Sequence, residues 1–122
     1  MSSTPDLLAV TVLLERTDVI AGLALEAEDH LSLERWQATL CTLASRHLEA
    51  SLAVDTAQLQ NPNTDLSALR TQMWLLENES HLASYMRESL TAQQCIALVA
   101  DQLDSIDAAR KMIADLERRA AA

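Results

Sequence analysis

The sequence has very few of the residues that tight turns and β-sheets require. Glycine occurs once in 122 residues, proline twice and phenylalanine not at all. Sheet-rich folds need turn residues at short intervals and strands of β-branched or aromatic residues, so this composition nearly excludes them. A single glycine also cannot form a Gly-rich phosphate loop, which excludes the nucleotide-binding enzymes built on such loops.

Basic residues are also scarce, since 9 Lys and Arg stand against 18 Asp and Glu, for a formal net charge of −9. Clustered cations bind nucleic acid and anionic membranes, so we expect neither as a partner. We interpret the basic residues near the C-terminal end as cations that stabilise the negative end of a helix dipole. A phosphate-binding site is the alternative interpretation. Hydrophobic residues, at 49%, are too many for a disordered tail and predict a single domain over residues 1–122.

Cys41 and Cys95 are isolated from each other and lie in apolar helical stretches. We interpret them as core residues, because a disulfide framework or metal knuckle needs more cysteines at closer spacing. No basic-then-apolar targeting signal opens the chain, and charged residues separate the apolar runs 7–14 and 19–25. We therefore expect a cytoplasmic protein without membrane insertion.

Apolar spacing and capping residues predict four long helices, over residues 5–29, 32–60, 64–90 and 92–119. Their predicted N-caps are Thr4 followed by Pro5, then Ser32, then Asn63 or Thr64, and last Thr91 in a capping box with Gln94. Neither glycine nor proline separates the last two helices, so one helix from Thr64 to Arg119 is the alternative. We interpret Gly22, within the first helix, as a site of close packing.

Heptad spacing of apolar residues predicts how these helices associate. The stripe of the second helix comprises Trp36, Leu40, Leu43, His47, Ala50 and Val54. We interpret His47 as a hydrogen-bonded interior residue. Long helices with short connections predict an all-α fold: an elongated antiparallel helical bundle, or helical hairpins, of three to four long helices.

The sequence contains residue types that act in catalysis, but their spacing does not form a catalytic motif. None of the three histidines has a glutamate three residues before it, as bundle di-iron sites require, and neither cysteine has an adjacent base. We expect no enzymatic activity, no cofactor and no metal. Asp101, Asp104 and Asp107 form an acidic ridge on the fourth helix, interpreted as a solvated face or alternatively as a surface for a basic partner.

The last two helices carry more apolar residues than one stripe each. A second seam on the third helix follows Leu75, Leu82 and Met86, with Trp74 and Tyr85 beside it. On the fourth helix the apolar seam continues beyond Arg110. We expect a chain of this size to leave part of this surface exposed, for a protein partner or a second copy in a homodimer.

Residues 69–99, LRTQMWLLENESHLASYMRESLTAQQCIALV, resemble the C-terminal half of FlgN-type flagellar export chaperones, particularly the divergent alphaproteobacterial forms. The similarity lies in a Leu-rich turn before Glu77 and Asn78, a leucine at position 82, and the apolar run 96–99. The N-terminal half is similar to the same family in its Leu- and Ala-rich helix followed by an acidic stretch.

The resemblance implies a chaperone that binds helical segments of the hook–filament junction proteins and delivers them to the type III export apparatus. Together with the apolar seams, it predicts the following partner-binding residues: Asn78, Leu82, Met86, Val99, Leu103, Ile106, Met112, Ile113 and Leu116. The alternative from charge alone is a small acidic helical interaction protein, such as an inhibitor, a phage antagonist or an immunity protein, that blocks a basic surface of its target.

Overall fold

A computed structural model describes residues 6–121, which contain helices and no strand. The helices are α1 (Leu8–Glu26), α2 (Leu33–Gln60), α3 (Ser67–Tyr85) and α4 (Ala92–Ala121), with one-turn 3₁₀ helices at Glu28–His30 and Arg87–Ser89. They pack antiparallel, which confirms the predicted all-α bundle. Both α1 and α3 pack against α2 and α4, so α1 and α3 occupy opposite corners of the bundle.

The two halves of the chain are copies of one helical-hairpin layout. Each begins with a 19-residue helix, followed by a 3₁₀ turn of three residues and then a helix of 28 or 30 residues. Equivalent positions lie 59 residues apart, as Asp6 and Asp65 do, or Ser32 and Thr91. Buried positions follow the same offset, so Leu14 of the first hairpin is equivalent to Met73 of the second.

Side-chain caps start the two long helices where the sequence predicts. Ser32 Oγ accepts from the backbone N–H of Arg35 at 3.2 Å. Thr91 and Gln94 form the capping box: Gln94 N donates to Thr91 Oγ1 at 3.2 Å, and Thr91 N donates to Gln94 Oε1 at 2.9 Å. This cap separates α3 from α4, so the alternative of one continuous helix is wrong.

The starts of the two short helices differ from prediction. Helix α3 begins at Ser67, and its N-cap residue is Leu66, not Asn63 or Thr64 as predicted; the backbone N–H and hydroxyl of Ser67 donate to Asp65 Oδ1 at 3.0 and 2.6 Å. The pKa of Asp65 is lowered by hydrogen bonds from the Ser67 hydroxyl and backbone N–H. In the same way Asp6 Oδ1 accepts from the N–H of Leu8, where α1 begins, at 3.1 Å. The predicted cap at residues 4–5 lies outside the described residues.

The core consists of two apolar clusters, one toward each end of the bundle. The whole heptad stripe of α2, from Trp36 to Val54, is buried as predicted. Cys95 is buried as predicted, and burial raises the pKa of its thiol. Cys41 is only partly buried, so the prediction that it is a core residue is wrong. Gly22 does not serve close packing, because a Cβ atom added there would have no neighbour within 4 Å.

A buried polar group links three helices in the middle of the bundle. Ser80 Oγ donates to Gln102 Oε1 at 3.0 Å and lies 2.5 Å from His47 Nδ1. Because Ser80 has only one proton to donate, His47 Nδ1 is protonated and Nε2 is not. Burial lowers the pKa of His47 to about 4. The prediction of a hydrogen-bonded interior histidine is confirmed.

Candidate partner-binding face

The apolar seam of α4 is covered by the rest of the bundle. Val99, Ile106 and Ile113 are buried, at most 4% exposed. Three further predicted residues, Leu103, Met112 and Leu116, are partly buried and pack against the core clusters. The expected exposed seam on this helix is therefore absent among the described residues, because α1, α2 and α3 all pack against α4.

Arg110, which interrupts the apolar stripe of α4, pairs with a residue of another helix in the bundle. Its Nη1 donates to Asp18 Oδ2 of α1 at 2.8 Å, which ties two neighbouring helices together. The basic residue thus marks a contact between α1 and α4. Sequence alone did not reveal this partner, because the two residues are far apart in the chain.

The other three predicted residues, Asn78, Leu82 and Met86, lie together on the outward side of α3. They share that side with three large exposed side chains, those of Trp74, Leu75 and Tyr85. We call this surface the α3 face; its residues are Trp74, Leu75, Asn78, Leu82, Tyr85 and Met86. Leu82 is 64% exposed and Trp74 is 59% exposed, so much of this surface is free to contact another molecule.

The α3 face points outward because α3 has a second apolar stripe that fills the core. Leu69, Met73 and Leu76 are buried on that stripe, at steps of three and four residues. Helical geometry then turns the residues of the α3 face away from the bundle. Trp74, Leu75 and Tyr85 of this face were not among the predicted residues, although their place on or beside the second seam was the signal.

Asn78 is the one polar side chain of the α3 face. Its side-chain Nδ2 donates to the backbone carbonyl of Trp74 at 2.7 Å, one turn earlier in the helix. The amide is thereby turned along the helix and leaves the neighbouring apolar side chains in contact with solvent. Its carbonyl oxygen and its second N–H remain available to hydrogen-bond a ligand.

The α3 face continues into a groove between α2 and α3 of about 440 Å³. Trp74 and Leu52 line it, and Leu52 is exposed as well. An ion pair crosses the groove, from Arg70 Nε to Asp55 Oδ1 at 3.0 Å. Most of the residues that line this groove are polar or charged, so the groove adds a concave, largely polar side to the α3 face.

Carboxyl groups border the α3 face on the side toward α4. Glu79 is partly buried, and its pKa is raised to about 7 by burial and by the facing carboxyl of Asp101. Proton binding by this pair changes the local charge near neutral pH. The border is acidic while the face itself is apolar.

Residues 6–121 contain neither a metal-binding cluster nor a membrane-spanning helix. No three His, Cys, Asp or Glu side chains come together there as a metal site would require. Within the same range, none of the helices is long and apolar enough to span a membrane. Comparisons of the chain with protein families, curated proteins and solved structures gave no match.

Proposed function

We propose that this protein is a non-enzymatic export chaperone of the FlgN type. It acts in the cytoplasm, holds helical segments of the flagellar hook–filament junction proteins, and delivers them to the type III export apparatus. The observation that supports the proposal is the α3 face, an exposed apolar surface. This surface lies within the stretch 69–99 that resembles the family, and it includes Asn78 and Leu82 of the shared pattern.

The physical basis is the fit between an apolar face and an amphipathic helix. A partner helix that lays its apolar stripe on the α3 face removes Leu82 and its neighbours from water. Because Leu82 is 64% exposed, covering it contributes about 1–2 kcal/mol. The net charge of −9 repels other copies and keeps such a face soluble while it is empty.

The tryptophans offer a direct assay for binding. Trp36 is completely buried, whereas Trp74 belongs to the exposed α3 face. When a purified junction-protein segment binds this face, Trp74 fluorescence is expected to shift to shorter wavelength. A Trp74→Phe variant reports only Trp36 and is expected to show no shift. Absence of binding by every junction protein of the source organism would refute the proposal.

A matched pair of variants localises the interaction. Leu82→Asp is expected to weaken binding by at least about 5- to 30-fold, which is the loss of the burial contribution above; the cost of placing a charge in an apolar contact adds to it. Leu59→Asp is the control, because Leu59 is also exposed but lies at the end of α2. Equal loss in both variants would mean that the α3 face is not the binding surface. Circular dichroism verifies that both variants fold.

A second candidate function is supported by the acidic ridge on α4. Asp101, Asp104 and Asp107 are all exposed, and none forms an ion pair with a basic residue in the part of the chain described. This surface suits an inhibitor that blocks a basic target. Raising salt from about 0.05 M to about 0.5 M should weaken charge-driven binding strongly, whereas binding to the α3 face should barely change.

A further inference from the structure

The first hairpin carries an apolar groove of its own on another side of the bundle. Val12, Val19 and Ile20 line it together with Glu15, Arg16 and Arg46, and its volume is about 450 Å³. We call it the α1/α2 groove. Because α1 and α3 occupy opposite corners, this groove and the α3 face are separate surfaces.

The α1/α2 groove extends along α2. A second depression of about 320 Å³ shares Ile20 with it and adds Leu31, Arg35 and Thr39. Val19 and Leu23 are exposed and continue the apolar surface along α1. The stretch from Val12 to Leu23 covers about 17 Å, the length of a helix of three turns.

The cations of the α1/α2 groove are poorly neutralised by the protein itself. Arg16 and Arg35 form no ion pair within residues 6–121, and Arg46 has only Glu49 of its own helix, at 3.4 Å. Glu15 is the one carboxylate that lines the groove. In a chain of net charge −9, this leaves three arginines and one glutamate around an apolar depression.

Only the first hairpin carries arginines at the positions that surround the groove. Leu23 is equivalent to Leu82 of the α3 face, so both hairpins expose a leucine at that position, whereas Val19 is equivalent to the polar Asn78. The equivalents of Arg16, Arg35 and Arg46 are Leu75, Gln94 and Ser105, none of them charged. The two surfaces therefore suit ligands of different charge.

We propose that the α1/α2 groove binds an acidic amphipathic helix of about three turns from a protein partner. The apolar stripe of that helix packs on Val12, Val19 and Ile20. Its flanking carboxylates pair with the guanidinium groups of Arg16 and Arg46, which favour bidentate contacts with carboxylates. This interaction goes beyond the proposed chaperone function, since it uses a different surface and does not depend on the identity of the cargo.

The test uses two synthetic peptides with the same leucine spacing, one with glutamate and one with lysine beside the apolar stripe. Fluorescence anisotropy of the labelled peptides measures the Kd for the full chain. We expect the Glu peptide to bind at least about 10-fold more tightly than the Lys peptide, from two partly exposed ion pairs. Equal affinity for both peptides would overturn the proposal.

Paired variants assign the binding to the groove. R16E/R46E is expected to abolish the preference for the Glu peptide, and Val19→Ser to weaken its binding by about 5-fold. R118E/R119E changes the net charge by the same amount as R16E/R46E, but in the last turn of α4, and is expected to leave the affinity near wild type. An equal loss with R118E/R119E would indicate a general charge effect and overturn the proposal.

Two further measurements separate this proposal from its competitors. Leu82→Asp, which tests the chaperone function, is expected to leave Glu-peptide binding unchanged. Its loss in that variant would move the peptide to the α3 face and overturn the groove assignment. Sedimentation that shows self-association, abolished by R16E/R46E, would identify a second copy as the occupant and would also overturn it.

Discussion

Replacing His47 with isoleucine tests how strongly one buried side chain controls stability in mild acid. His47 is fully buried, and burial lowers its pKa from 6.5 to about 4. Protonation would place a charge on Nε2, which has no hydrogen-bond partner within residues 6–121. Isoleucine suits the site, because the equivalent residue of the second hairpin is the buried Ile106.

The sign of the effect follows from which state binds the proton first. Above pH 6.5 the imidazole is neutral in the folded and the unfolded chain. Below it the unfolded chain binds a proton first, so the free energy of unfolding falls until about pH 4, where the folded chain is protonated too. The full shift corresponds to about 3 kcal/mol, of which about 2 kcal/mol is lost between pH 6.5 and 5.

Glu79 contributes in the opposite direction. Its pKa is raised from 4.5 to about 7, so the folded chain binds this proton first as the pH falls. The resulting stability is fully present below pH 4.5 and is lost as the pH rises through 7. His47→Ile is therefore best examined in a Glu79→Gln background, where this opposing contribution is absent.

Urea unfolding followed by circular dichroism at pH 7 and pH 5 provides the measurement. Between these two conditions, E79Q is expected to lose about 2 kcal/mol more than H47I/E79Q. The other carboxyl groups cancel in this comparison because both proteins contain them. Equal losses in the two proteins would refute the reasoning that a neutral imidazole is held in the core.

Three further substitutions test local features of the fold by the same unfolding measurement. Gly22→Ala should raise the free energy of unfolding by about 0.5–1 kcal/mol, because the added methyl meets nothing and the helix gains propensity; a loss would mean unseen packing there. Thr91→Ala should lower it by about 1 kcal/mol through loss of the capping box, and no loss would mean that solvent replaces the cap. Ser80→Ala should lower the free energy of unfolding by about 1–3 kcal/mol, because it leaves His47 and Gln102 unpaired. The triple variant H47I/S80A/Q102L places at these positions the apolar residues found at the equivalent positions of the other hairpin, and it should recover most of that loss. A triple variant less stable than S80A would contradict this explanation.

Part of the candidate site was predictable and part was not. Leu82 and Met86 were predicted from a seam that the core stripe of α3 left over, and both are exposed. Ile113 was predicted by the same kind of reasoning on α4 and is buried instead. A periodic apolar pattern shows that a side chain will leave water, but the pattern is the same whether a neighbouring helix or a partner covers it.

The repeat of the hairpin is not evident in the amino-acid sequence. Few residues are identical across the 59-residue offset, and the repeat is visible mainly in equivalent caps and equivalent buried positions. Ser32 and Thr91 are different residues that perform the same capping task. Equivalent positions share a capping role or burial but not the residue type, so the relation between the two hairpins becomes visible only in the arrangement of the helices.

The sequence by itself determined the helical class, the capped starts of α2 and α4, and the buried stripe of α2. These features depend on contacts within one or two helical turns, which neighbouring residues in the chain supply. The tertiary structure alone decided that Arg110 pairs with Asp18 and that the seam of α4 is covered. Those outcomes depend on packing between helices that are distant in the chain, and no local pattern specifies it.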